Sequence, residues 1–79
     1  MTNDLTFEQR LARNVEAEAV RSGLSKKDMS VILGKSLMSI HSRFAGDIEF
    51  RPSELNLLAN AMGIDITEFF VGTQRKAGA

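Results

Sequence analysis

Cysteine and tyrosine are absent from this 79-residue chain, and histidine and proline occur once each. Without cysteine there is no disulfide framework and no thiolate metal site, so stability must come from apolar packing. One histidine with scattered carboxylates does not supply the several ligands that a metal needs. A nucleophile–base pair would have to join His41 to Ser39 or Ser42, with no third group to orient the ring. A glycine-rich phosphate loop is also missing, because Gly23, Gly34, Gly46, Gly63 and Gly72 each close a helical pattern. Catalysis, a metal, a cofactor and a small-molecule substrate are therefore not expected. No apolar run approaches the ~20 residues of a membrane span, and no signal-peptide pattern opens the chain. A cytoplasmic protein with no membrane role is expected. Net charge is also lacking, with ten basic against ten acidic residues.

What the chain does have is a 43% hydrophobic content, enough for one small core. Five helical segments are read, and no strand. Thr6 is a good N-cap with Gln9 in the capping-box position, and Phe7, Leu11, Val15 and Ala19 fall on one face before Gly23. Ser25, with Asp28 three residues on, opens a second helix whose inward pair is Met29 and Leu33, stopped by Gly34. Ser36 opens a third, with Ile40 and Phe44 inward and Gly46 at its end. Phe50 is expected to tuck into the core. Pro52 suits the first position of a fourth helix, whose stripe is Leu55, Leu58, Ala59 and Met62. Asp65 caps a short fifth helix carrying Phe69 and Phe70. Residues 6–71 read as the domain and 72–79 as a disordered tail.

The second and third helices are separated only by a tight turn containing glycine, which is the description of a helix-turn-helix. Residues 26–51 hold five cations (Lys26, Lys27, Lys35, Arg43 and Arg51) against Asp28, Asp47 and Glu49, an excess of two. At about 100° per residue, the third helix turns Met38, His41, Ser42 and Ala45 outward. That face carries no acid, so it could enter a major groove, with polar groups bonding base edges and apolar ones meeting thymine methyls. The N-termini of both helices offer N–H groups to phosphate, and Lys26, Lys27 and Lys35 lie beside them. Leu37 is either core or groove-facing. Val31 and Ile32 either pack on the fourth helix or form an apolar patch for a partner. Glu16 and Glu18 are read as solvated.

The run Leu24-Ser25-Lys26-Lys27-Asp28-Met29-Ser30-Val31-Ile32-Leu33-Gly34-Lys35-Ser36-Leu37-Met38-Ser39-Ile40 resembles the helix-turn-helix of Cro and phage-repressor proteins. Phe44-Ala45-Gly46, Pro52, Leu55–Ile64 and Asp65–Phe70 are similar to the parts of that family that follow. The resemblance covers about residues 6–71 and implies an all-α, compact five-helix, lambda-repressor-like DNA-binding domain. It implies a transcriptional regulator, of repressor or Cro type, acting as a homodimer on a near-palindromic operator. Carried over by position, Leu37, Met38, Ser39 and Ser42 join His41 as base-facing residues. Lys26, Lys27, Lys35, Arg43 and Arg51 become phosphate contacts.

Four positions depart from the family. Lys26 stands where glutamine is frequent, Leu37 and Met38 where arginine, glutamine or serine is frequent, and Phe44 where glutamate is frequent. Loss of bidentate readers implies a thymine-rich site, weak DNA binding, or a face used for a protein. For dimerisation, Ile66, Phe69, Phe70 and Val71 are the nearest apolar surface. A protein-interaction module on the same fold, antitoxin-like or an anti-regulator, is the alternative function.

Overall fold

The computed structural model describes residues 5–74. It contains four α-helices: α1 (Phe7–Ser22), α2 (Lys26–Leu33), α3 (Leu37–Ala45) and α4 (Pro52–Met62). A 3₁₀ helix (Ile66–Phe70) follows them, and no strand occurs among the described residues. The start signals act as expected. The Thr6 hydroxyl accepts from the Gln9 N–H at 3.1 Å while the Gln9 amide oxygen accepts from the Thr6 N–H at 2.9 Å. Ser25 and Asp28 repeat that reciprocal cap on α2, and the Ser36 hydroxyl accepts from the Ser39 N–H on α3. Each arrangement satisfies amide donors that the first turn of a helix leaves without a partner.

All four α-helices end alike. The residue after the terminal glycine donates its N–H five residues back, as in Leu24 to Ala19 and Lys35 to Ser30. Gly46 carries the strictest requirement. Its φ is +86°, and a Cβ there would lie 2.9 Å from Gln9 Cγ, the side chain that caps α1. Here the end of α3 and the start of α1 touch, so glycine serves both conformation and close approach.

The core is built from Leu11, Ala12, Val15 and Ala19 of α1, Met29 of α2, and Leu55, Leu58 and Ala59 of α4, closed by Phe50 and Phe69. Ile40 of α3 is also fully buried. Helix α1 packs against α3, α4 and the 3₁₀ helix, while α2 packs against α3 and α4. Removing a side chain the size of Leu58 or Phe69 from water contributes about 1.5–3 kcal/mol. Phe44 and Phe50 meet edge to face at 5.4 Å, joining α3 to the loop before α4.

The expected fifth α-helix is instead a 3₁₀ turn. Only five residues separate the Asp65 cap from Val71, and short runs favour i→i+3 bonding such as Glu68 N–H to the Asp65 carbonyl. The Asn14 side chain then donates to the carbonyls of Phe69 at 2.9 Å and Val71 at 2.7 Å, holding the segment against α1. Phe7, expected on the inward face, is exposed and stacks on Phe70 at 6.3 Å. The tail expected from residue 72 is ordered at its start. Thr73 is 2% exposed, its hydroxyl donates to the Phe70 carbonyl, and its own carbonyl receives Arg10. Residues 75–79 of that tail lie outside the described residues.

Candidate nucleic-acid interface

Helices α2 and α3 are joined by Gly34-Lys35-Ser36 alone. The turn is pinned from within, since the Ser30 hydroxyl donates to the Lys35 carbonyl at 2.5 Å. This leaves the Lys35 side chain exposed at the head of α3. Along α3, Met38 is 78% and Leu37 45% exposed, so Leu37 is not a core residue. His41 and Ala45 are exposed beside them, and Ser39 and Ser42 are half-buried. The apolar edge of α3 that faces inward is Ile40 and Phe44, as the spacing predicts.

The two helix N-termini differ in their electrostatics. At α2 the Asp28 carboxylate sits on the Ser25 N–H. That bond, with the Ser25 hydroxyl and the charge of Lys27, holds the carboxyl below its usual range. An anion thus already occupies this end of α2. The first turn of α3 contains no acid, and its cap is the neutral Ser36. Of the two, α3 is the end left open to an external anion.

The expected cations divide into two groups. Lys27, Lys35 and Arg51 are exposed, and among the described residues none of them is in an ion pair. Lys26 is held by α1: its Nζ is 3.1 Å from Glu16 Oε2 and 5.2 Å from the centre of the Phe44 ring. Glu16 is therefore paired rather than simply solvated, and Glu18 likewise meets Arg21.

Arg43 is not a surface phosphate contact. It is 5% exposed, and its guanidinium grips Glu54 of α4 in a fork, Nε to Oε1 at 3.0 Å and Nη2 to Oε2 at 2.9 Å. Its Nη1 donates to the carbonyl and the hydroxyl of Ser39. Burial pushes the Glu54 carboxyl up, but the Arg43 hydrogen bonds, the Arg51 N–H and the charges of Arg43 and Lys35 together hold it below the ordinary range. The physical reason for the correction is the helical period. Arg43 lies three residues after the buried Ile40, on the inward side, and an inward cation needs a partner.

Glu16 and Glu54 come from outside residues 26–51. Their pairing with Lys26 and Arg43 cancels the two-charge excess of that segment. Neither acid is assigned a partner from the sequence. Glu54 had a signal, because it sits three residues after Arg51 in a capping-box position at the head of α4. Glu16 had none, being ten residues from Lys26 with only tertiary packing to bring it there.

The four residues assigned to a dimer surface do not share one. Phe69 is 0% exposed and belongs to the core, because the 3₁₀ turn points it between α1 and α4. Ile66 packs half-buried against that core, Phe70 stacks on Phe7, and Val71 is exposed.

Among the described residues, no group of three or more His, Asp or Glu side chains is placed to hold a metal. Nor is any helix there long and apolar enough to cross a membrane. Comparison with known proteins gives no matching family model and no matching curated protein.

Proposed function

We propose that this chain binds double-stranded DNA, with α2, the Gly34–Ser36 turn and α3 acting as a helix-turn-helix and α3 lying in the major groove. The finer fold assignment, a lambda-repressor-like bundle whose last helix is a 3₁₀ turn, belongs to the same proposal, as does its use as a homodimeric transcriptional regulator. The observation that carries it is the outer face of α3. It is exposed, contains no acid, begins at an uncharged cap and has Lys35 at its head. Phosphate contacts by Lys27, Lys35 and Arg51 would fix the register, while Met38, Leu37, His41, Ser39 and Ser42 face the bases. With two thioether and aliphatic side chains among them, methyl contact with thymine is the expected mode of reading.

Selection of bound duplexes from a random library tests this. A defined site is expected, with thymines opposite Met38. Met38→Gln should change the preferred sequence, whereas Lys35→Ala should lower affinity on every sequence alike. Absence of any retained duplex at low salt overturns the proposal.

One observation favours a second reading. The charge excess of the α2–α3 segment is neutralised internally, and Met38 and Val31 are 78% and 76% exposed. An apolar, uncharged surface of this kind suits a protein partner. Under that reading no duplex is retained at low salt.

A further inference from the structure

The Arg43 guanidinium is a buried cation that reaches back to the first turn of α3. We propose that Arg43 is a positioning residue that makes Ser39 a one-way hydrogen-bond donor to DNA. The inference rests on the DNA-binding reading above and deepens it.

The geometry gives four of the five guanidinium N–H groups a task. Nε and Nη2 hold the two oxygens of Glu54, whose Oε1 also accepts from the Arg51 N–H at 3.0 Å. The carboxylate is thus anchored to the head of α4, and it fixes the guanidinium plane. Nη1 is then aimed at Ser39, where it donates to the carbonyl at 3.1 Å and to Oγ. A serine hydroxyl has one hydrogen and two lone pairs. Here a cation occupies a lone pair, and among the described residues the hydroxyl hydrogen has no acceptor. The positive partner on Oγ repels that hydrogen toward the open side and polarises the O–H bond, strengthening it as a donor.

Ser39 is half-buried, and its Oγ lies against the ion pair through Arg43. The chemistry it would recognise is a hydrogen-bond acceptor on the duplex. Two sources share that chemistry, a phosphate oxygen and a base-edge acceptor such as purine N7 or thymine O4. The amino groups of cytosine and adenine are disfavoured, because Arg43 occupies one lone pair of Oγ and its positive charge opposes a second donor at the other.

A double-mutant cycle tests the proposal on duplexes taken from the library selection. Removing Arg43 alone would strand a buried carboxylate, so the partner background is the doubly apolar R43M/E54L, with folding checked by circular dichroism and thermal melting. In the native background Ser39→Ala should weaken binding about tenfold, as expected for loss of one hydrogen bond from a polarised donor. Ser39→Thr, which keeps the hydroxyl, should restore most of it. In R43M/E54L the same Ser39→Ala change should cost less than about twofold.

A uniform loss across sequences assigns the acceptor to phosphate, and a loss confined to one base position assigns it to that base; either supports the proposal. Equal losses in the two backgrounds, or no loss in the native one, overturn it. A merely structural Arg43 would shift the melting temperature without changing what Ser39→Ala does to affinity. If the native chain retains no duplex at low salt, the DNA-binding reading itself fails, a result distinct from binding that ignores Ser39.

Discussion

Raising the salt concentration reads out how many cations around α3 release counterions on binding. Five were expected from sequence, but Lys26 is occupied by Glu16 and Arg43 by Glu54, leaving Lys27, Lys35 and Arg51. For B-DNA the slope of log affinity against log salt is about −0.9 per neutralised phosphate, so three contacts give about −2.7 per bound domain and five about −4.5. Between about 50 and 200 mM salt the first slope weakens binding about 40-fold and the second about 500-fold. A homodimer on two half-sites doubles either slope, so the stoichiometry must be fixed first by titration above the dissociation constant. Fluorescence anisotropy on a labelled duplex at five or six salt concentrations separates the two values. A slope steeper than about −4 per domain would refute the reasoning, since Lys26 and Arg43 would then have left their carboxylates for phosphates.

Further expectations follow from the same pairs and from the core. Glu16→Gln frees Lys26, so affinity for DNA should rise severalfold and the salt slope steepen by about 0.9; an unchanged or weaker complex contradicts this. Glu54 has its carboxyl held down in the fold, so its contribution to stability is complete above its ordinary value of 4.5 and is lost as pH falls below that through the depressed value. Urea midpoints should therefore drop on acidification below pH 4.5, and less steeply in Glu54→Gln. Phe69→Ala removes a fully buried ring and should cost about 3–5 kcal/mol, a large part of the stability of so small a domain. That loss should show as a lower urea midpoint independent of protein concentration; a concentration-dependent change would mean that Phe69 belongs to a dimer surface after all.

The helical framework was legible because its signals are local. Thr6, Ser25, Ser36 and Asp65 as caps, and glycine after each α-helix, act within four residues of where they stand. Periodicity placed Met29, Ile40, Leu55 and Leu58 correctly for the same reason. Arg43 is misplaced by the resemblance, which carries it over by position as a phosphate contact, although its register with Ile40 points inward. The geometry that Phe69 adopts depends on Asn14, fifty-five residues away, and no local pattern carries that. The outer face of α3 was legible in composition, but its electrostatics were not. These depend on Glu16 and Glu54, which arrive by folding.

The contacts of Phe7 with Phe70 and of Arg10 with Thr73 place the first turn of α1 beside the last described turn. The path of the described backbone, residues 5–74, is therefore almost a closed ring. A circular permutant would need only a short bridge across that seam, and insertion into a loop of a host protein would let both junctions emerge side by side. Such an insert could carry α3 as a cassette without threading either junction past it.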